Sequence, residues 1–375
     1  MHIVPVASGK GGVGKTLLAA NLAIALGQAG KRVVLCDLDL GGSNLHLILG
    51  IPPTQEGLGT FINRRDLHLS EILVPTEYPN VTFIPGDGEI PGAANLTSHQ
   101  KQKIRRNLLT LDTDYLILDL GAGTHSNVLD FFLLSGRGVV ITSPTPMATV
   151  NAYVFLKNTI YRILAQSMKK KSEAFQYLEH LRKEGTAFQN LYVPKLLEEI
   201  QVRDPEAYET FQQQVQQYHP RLVLNMVEDP WDAEKATKLR RSCQQYLNLD
   251  LEHLGVMYRD DIQNIALGSR LPIILYRPQS VLSTAIRRIA DKLIQVEDES
   301  DLLFSNLEDT FQEASLEAEV DFEAKMDDLE ELLHTETLTV GDLIETVKMQ
   351  QFEINQLKKE NNFLKAKLMN LLKGS

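Results

Sequence analysis

Cysteine is scarce in this sequence. Its 375 residues hold two, Cys36 and Cys243, far apart and without metal-type neighbours. That argues against a disulfide framework, a zinc ribbon and a cysteine-ligated cluster, and it fits a reducing cytosol. Long apolar runs are missing too: none approaches the roughly 20 residues of a membrane-spanning helix. No secretory leader is expected, because HIVPVAS at the start reads as a strand entering a loop. No stretch of the chain concentrates basic residues, so nothing in the linear order announces nucleic-acid binding. The net charge of -11 says less than it first suggests. Between Glu297 and Glu336 stand 16 acidic residues against one lysine, which leaves the remainder close to neutral.

What is present is enough for a sizeable core. The hydrophobic fraction is 43%, and the length suits one large or two ordinary domains. Strand-like runs recur at helix-length intervals: HIVPVAS (2–8), RVVLCDLD (32–39), VTFIPG (81–86), DYLILDLG (114–121), GVVITSP (138–144), RLVLNMV (221–227) and LEHLGVM (251–257). Several are continuously apolar, as strands buried on both faces of a parallel sheet must be. Their alternation with helices predicts an α/β, doubly wound, mostly parallel sheet. Residues 155–220 interrupt the rhythm with Gln, Glu, Lys and Leu, and read as a helical insertion. Extra packing or a partner-docking surface would each account for it.

After Leu293 the character changes. Residues 296–337 read as an acidic linker with helical pieces. From 338 to 373 a seam repeats at spacings of four and three: Leu343, Val347, Gln350, Ile354, Leu357, Asn361, Leu364, Leu368 and Leu371. Apolar residues at such spacing predict a coiled coil, and Ile354 and Asn361 at a positions favour a parallel homodimer. A single amphipathic helix folded on the core and a membrane-surface helix are the alternatives.

The chemistry is announced early. Gly9, Lys10, Gly11, Gly12, Val13, Gly14, Lys15 and Thr16 carry the pattern G-x-x-x-x-G-K-[ST], between a strand and the helical TLLAANLAIALGQAG. Glycines let backbone N–H groups converge on phosphate oxygens, and the helix start adds its positive dipole end. Lys15 is placed for the β- and γ-phosphates of ATP or GTP, and Thr16 for Mg²⁺. Asp119 ends the apolar DYLILD and precedes Gly-Ala-Gly, as a metal-side carboxylate before a flexible loop does. Asp37 and Asp39 end the second strand and, being alternate residues, share one face. That pairing beside a phosphate loop suits positioning or activating water.

Gly9 to Thr16 with the extra Lys10 resembles the deviant phosphate loop of the MinD/ParA family of ATPases, and within it the flagellar-number (FlhG-like) and MinD branch. The segments DLDLGGSNLHLILG (37–50), DLGAG (119–123) and TSPTPMATVNAY (142–153) extend the likeness, which covers about residues 1–295. The resemblance implies an ATPase domain that sandwiches ATP between two subunits, with Lys10 reaching the partner's nucleotide. It implies that Asp39 orients the attacking water with Asp37 beside it, and that Asp119 holds Mg²⁺ through a water. It implies that Asn225 reads the adenine edge and that backbone around Tyr258 lines the base pocket. It implies slow, partner-stimulated hydrolysis in the cytoplasm, with the inner face of the membrane as a further location. Leu17 departs from the family's second threonine and leaves only its backbone N–H; His46, Thr145 and Asn151 depart as well. A family-type membrane-targeting helix is not evident. The expected function is an ATP-dependent dimerisation switch in spatial regulation of a flagellum, a division site or DNA cargo. The alternatives are a nucleotide-binding scaffold and a DNA-partition ATPase.

Overall fold

The computed structural model describes residues 1–53, 56–86, 96–183, 192–298 and 307–334, and Lys348, Gln351, Ile354 and Gln356 beyond them. Two compact units divide the chain, Met1–Asp321 and Phe322–Ser375.

The first unit is built on an eight-stranded sheet. β1 (His2–Ala7) is followed by α1 (Lys15–Gln28), β2 (Val33–Leu38), α2 (Leu45–Ile48) and α3 (Leu58–Asn63). Then come β3 (Val74–Pro75), β4 (Val81–Ile84), α4 (Ser98–Leu108), β5 (Tyr115–Leu120), α5 (Ser126–Phe132) and β6 (Val139–Thr142). The strand order is β3-β4-β2-β5-β1-β6 and on to β7 (Arg221–Val227) and β8 (Glu252–Tyr258). Every pair is parallel except β3 with β4. The seven apolar runs read from the sequence all form strands. The short β3 was not foreseen: two residues with a proline carry no periodic signal, and the edge is where such a strand is tolerated.

Burial explains the apolar runs. β2 and β5 are buried at every position, because helices cover both faces of the sheet. Helix α1 is buried from Leu17 to Gly27, all round, as a central core helix must be. Among the described residues, four helices lie between β6 and β7: α6 (Pro146–Ser167), α7 (Glu173–Lys183), α8 (Val193–Arg203) and α9 (Pro205–Gln216). Thr145 caps α6 and Asp204 caps α9, each followed by a proline at a first-turn position where its missing N–H costs nothing. β8 is flanked in sequence by α10 (Glu234–Leu247), then α11 (Ile262–Gly268), α12 (Ile273–Tyr276) and α13 (Val281–Asp298).

Helix α14 (Leu307–His334) begins in the first unit, which therefore runs past the boundary at 295 read from the sequence. Residues 307–321, expected as acidic linker, pack into the core of that unit, with Phe311, Ala314 and Ala318 buried. In the second unit the described residues complete α14 and add four isolated helical positions. The coiled coil of 338–373 lies outside the described residues apart from those four. Among the described residues, no helix is long and apolar enough to cross a membrane.

Candidate functional site

β1 sits between β5 and β6, so chain neighbours depart to opposite sides of it and leave a crevice at its carboxyl end. The phosphate loop fills that position. Three contacts clamp it. The Gly123 N–H donates to the Ser8 carbonyl at 2.9 Å, tying it to the loop after β5. The Asn225 amide, from β7, donates to the Val13 carbonyl at 2.8 Å. The backbone of Asn151 in α6 presses on Gly9, where a Cβ would lie 2.1 Å from its carbonyl oxygen. Only glycine fits at Gly9. At Gly14 the need is double: φ is 89°, and a Cβ would meet the Asn225 amide nitrogen at 2.1 Å.

The loop's outer rim is open. Among the described residues, a Cβ on Gly11 or Gly12 would meet nothing within 4 Å. Among the described residues, no side chain caps the start of α1, which leaves its first backbone N–H groups without a side-chain acceptor there. This cradle fits a polyphosphate. Thr16 and Asp119 offer the hard oxygen donors that Mg²⁺ prefers. Among the described residues, no cluster of three or more His, Cys, Asp or Glu could hold a metal on its own, so a Mg²⁺ here needs phosphate oxygens as well.

The charged centre is buried. The Lys15 ammonium lies 2.5 Å from Asp119 and 3.3 Å from the Thr16 hydroxyl. Burial pushes the Asp119 carboxyl above its ordinary range, while Lys15 and the Thr16 hydroxyl hold it back. Asp37 stands opposite Asp119 in the parallel register of β2 and β5. Burial, and then the neighbouring Asp119, push Asp37 up to about 7. Its carboxylate accepts the Ser43 hydroxyl at 2.6 Å, the Asp39 N–H at 3.0 Å and the Leu45 N–H at 3.4 Å. Asp37 thus organises the loop from 39 to 45 and fixes the backbone of Asp39. Asp39 itself is half-buried and faces the loop after β5, where a Cβ on Gly121 would lie 3.3 Å from its carboxylate.

The structure therefore brings together Lys15, Thr16, Asp37, Asp39 and Asp119. Lys10 stays exposed on the rim. Leu17 is buried behind the loop. Two expected base-pocket residues have side-chain partners within the protein. The Asn225 side chain donates one amide hydrogen to the Val13 carbonyl of the phosphate loop. Tyr258 is buried, and its hydroxyl donates to the Ala318 carbonyl of α14 at 2.7 Å. Ser43 was missed in the sequence, although a hydroxyl in a Gly-Gly-Ser-Asn turn six residues after a buried aspartate was the available signal.

Residues 4–372 match the profile of the CobQ/CobB/MinD/ParA nucleotide binding domain. The chain belongs to that family. It is 34% identical over 160 residues to the flagellum site-determining protein YlxH of Helicobacter pylori, covering 41% of this chain and 52% of that protein. It is 33% identical over 143 residues to the septum site-determining protein MinD of the same organism, covering 38% and 53%. With the antiactivator FleN of Pseudomonas aeruginosa it shares 27% over 192 residues, covering 49% and 68%. The chain spans about half the length of the first curated relatives it matches. In fold it is similar to the cell division ATPase MinD of Pyrococcus furiosus, with a TM-score of 0.54 at 18% identity over 79% of this chain and 99% of that one. It is also similar to a ParA family ATPase of Chlorobium tepidum, with a TM-score of 0.54 at 18% identity over 78% and 98%. The MinD/ParA membership read from the phosphate loop agrees with these findings.

Proposed function

We propose that this chain is an ATP-dependent dimerisation switch that hydrolyses ATP slowly. The observation that carries the reading is the buried Lys15–Asp119 pair under a clamped glycine loop, with a second lysine, Lys10, exposed on the rim. Lys15 and the backbone N–H groups of Gly11 to Thr16 hold the phosphates, and Leu17 adds only its N–H. Thr16, and Asp119 through a water, hold Mg²⁺, which neutralises phosphate charge when bound. Asp39 orients the attacking water. Asp37 acts through Asp39, by fixing its backbone with Ser43. Lys10, exposed on the rim, neutralises charge on the nucleotide of a second subunit.

Hydrolysis then unlocks the sandwich homodimer, and a protein partner stimulates that step. The parallel coiled coil of 338–373 keeps two heads at high effective concentration, so ATP closes heads already tethered. The relatives' names point to spatial regulation of a flagellum or a division site, and we place that role in the cytoplasm. The test is ATP turnover with Mg²⁺: Lys15→Ala and Asp39→Ala should abolish it, and Lys10→Ala should abolish it without abolishing nucleotide binding. Turnover that survives Lys15→Ala sinks the reading and leaves a scaffold.

A further inference from the structure

Helix α14 is acidic, yet one stripe of its first half is built into the first unit. Phe311, Ala314 and Ala318 follow one another at three and four residues and are 5%, 1% and 0% exposed. They cover β8, the last strand of the sheet, whose outer side would otherwise offer unpaired backbone groups. The His253 N–H of β8 donates to the Thr310 hydroxyl at 3.1 Å. The Phe311 ring stands edge-on to the His253 imidazole at 5.0 Å, and Arg240 of α10 lies over the same phenyl ring. From α13, Arg288 grips both oxygens of Asp321 at 3.1 and 2.5 Å and reaches Glu317 at 3.3 Å. Lys292 meets Glu317 at 2.7 Å. Acidic residues at the buried edge of the stripe are thus matched to two cations of the neighbouring helix.

The stripe connects to the phosphate loop. Tyr258 donates its hydroxyl to the Ala318 carbonyl. Tyr258 is paired with Val227 of β7, and the Arg259 N–H donates to the Val227 carbonyl at 3.0 Å. Between Leu224 and Val227 the register slips. Met226, inside the slip, has φ 59°, a left-handed backbone that a non-glycine residue rarely adopts. The other residue in the slip is Asn225, whose amide holds the Val13 carbonyl. A strained bulge is therefore held from one side by the phosphate loop and from the other by α14.

We propose that residues 307–321 are a positioning element for the nucleotide site, acting through Tyr258, the β7–β8 bulge and Asn225 on the phosphate loop. The proposal rests on the reading of that loop as a nucleotide site. A ligand that fixes Val13 fixes Asn225 and the bulge, and so favours the docked helix. Coupling between two binding events is reciprocal, so a docked helix favours the ligand by the same factor.

The test is hydrogen exchange of the full chain with and without Mg²⁺ and ATP, together with ATP affinity. In the unaltered chain ATP should slow exchange in both 8–16 and 307–321, the latter by about 5-fold or more. Arg288→Ala, which loosens the helix, should weaken ATP binding by a similar factor. Tyr258→Phe keeps the ring and the Arg288 clamp but lacks the hydroxyl. It should leave 307–321 docked while removing its response to ATP, a readout that a purely structural helix would not move. ATP protection of 8–16 with none in 307–321 overturns the positioning role alone. A full response retained in Tyr258→Phe overturns it too. No protection at either segment overturns the nucleotide reading with it.

Discussion

Lys15→Ala should cost stability as well as activity. Lys15 and Asp119 are 7% and 1% exposed at the side chain and 2.5 Å apart. Removing one partner of such a buried pair leaves an uncompensated charge, at about 3–5 kcal/mol. Here the orphaned Asp119 stands opposite Asp37, so two carboxylates would share a dry site without their cation. The relief available is protonation. Both groups already have folded-state pKa values above their unfolded ones, through burial first. Stability linked to a raised carboxyl is fully present below the unfolded pKa, near 4, and is lost as pH rises through the folded value. For Asp37 that window closes at about 7. The deficit of Lys15→Ala should therefore be larger at pH 8 than at pH 5. Urea unfolding at both values measures it. Adding Asp119→Asn to Lys15→Ala replaces the orphaned charge by a neutral amide and should recover a good part of the loss, with turnover still absent. A Lys15→Ala chain within about 1 kcal/mol of the unaltered one at pH 8, or a deficit untouched by Asp119→Asn, would refute the reasoning.

Three further expectations follow from single contacts. Gly9→Ala places a Cβ 2.1 Å from the Asn151 carbonyl oxygen, a backbone atom that cannot swing aside, so ATP affinity should fall by at least about tenfold, as read by calorimetry. Ser43→Ala removes the 2.6 Å bond to Asp37 and loosens the backbone of Asp39; turnover should fall while ATP affinity holds, and Ser43→Thr should restore part of it. Acid should release residues 307–321. Burial, and then Lys292, push the His253 imidazole down to about 3, with the Phe311 ring of α14 against it and Thr310 accepting the His253 backbone N–H. A base with a depressed folded pKa keeps its stability above the unfolded value, near 6.5, and loses it as pH falls toward 3. At pH 5 the loss is about 2 kcal/mol, so exchange in 307–321, corrected for intrinsic rates, should quicken about 30-fold relative to pH 7. The same quickening in His253→Leu would refute the role of His253.

The site's phosphate side was legible in the sequence because its chemistry is local. A glycine loop between a strand and a helix, and aspartates near strand ends, announce a candidate phosphate site in spacing alone. The apolar runs placed seven strands for the same reason. Long-range partners were not legible. Asn225 lies near the end of β7 and Tyr258 ends β8, but the order of residues does not say that one amide meets Val13 and one hydroxyl meets Ala318. Helix α14 was hidden by composition. Its buried stripe is one phenylalanine and two alanines, a weak apolar signal among acids. Glu317 and Asp321, which read as solvated charge, are paired with Lys292 and Arg288. Asp37 was read beside Asp39 as a group acting on water. Its three hydrogen bonds to residues 39–45 also tie down that loop, which the order of residues does not show.

The switch reading is tested most directly by mass. A chain ending at His334 keeps α14 whole and omits the heptad seam, and Asp39→Ala in it should hold ATP without hydrolysing it. Light scattering should give a monomer with ADP and a dimer with Mg²⁺ and ATP, and Lys10→Ala should return the ATP form to a monomer. One mass under both nucleotides, or an ATP dimer indifferent to Lys10, would contradict it.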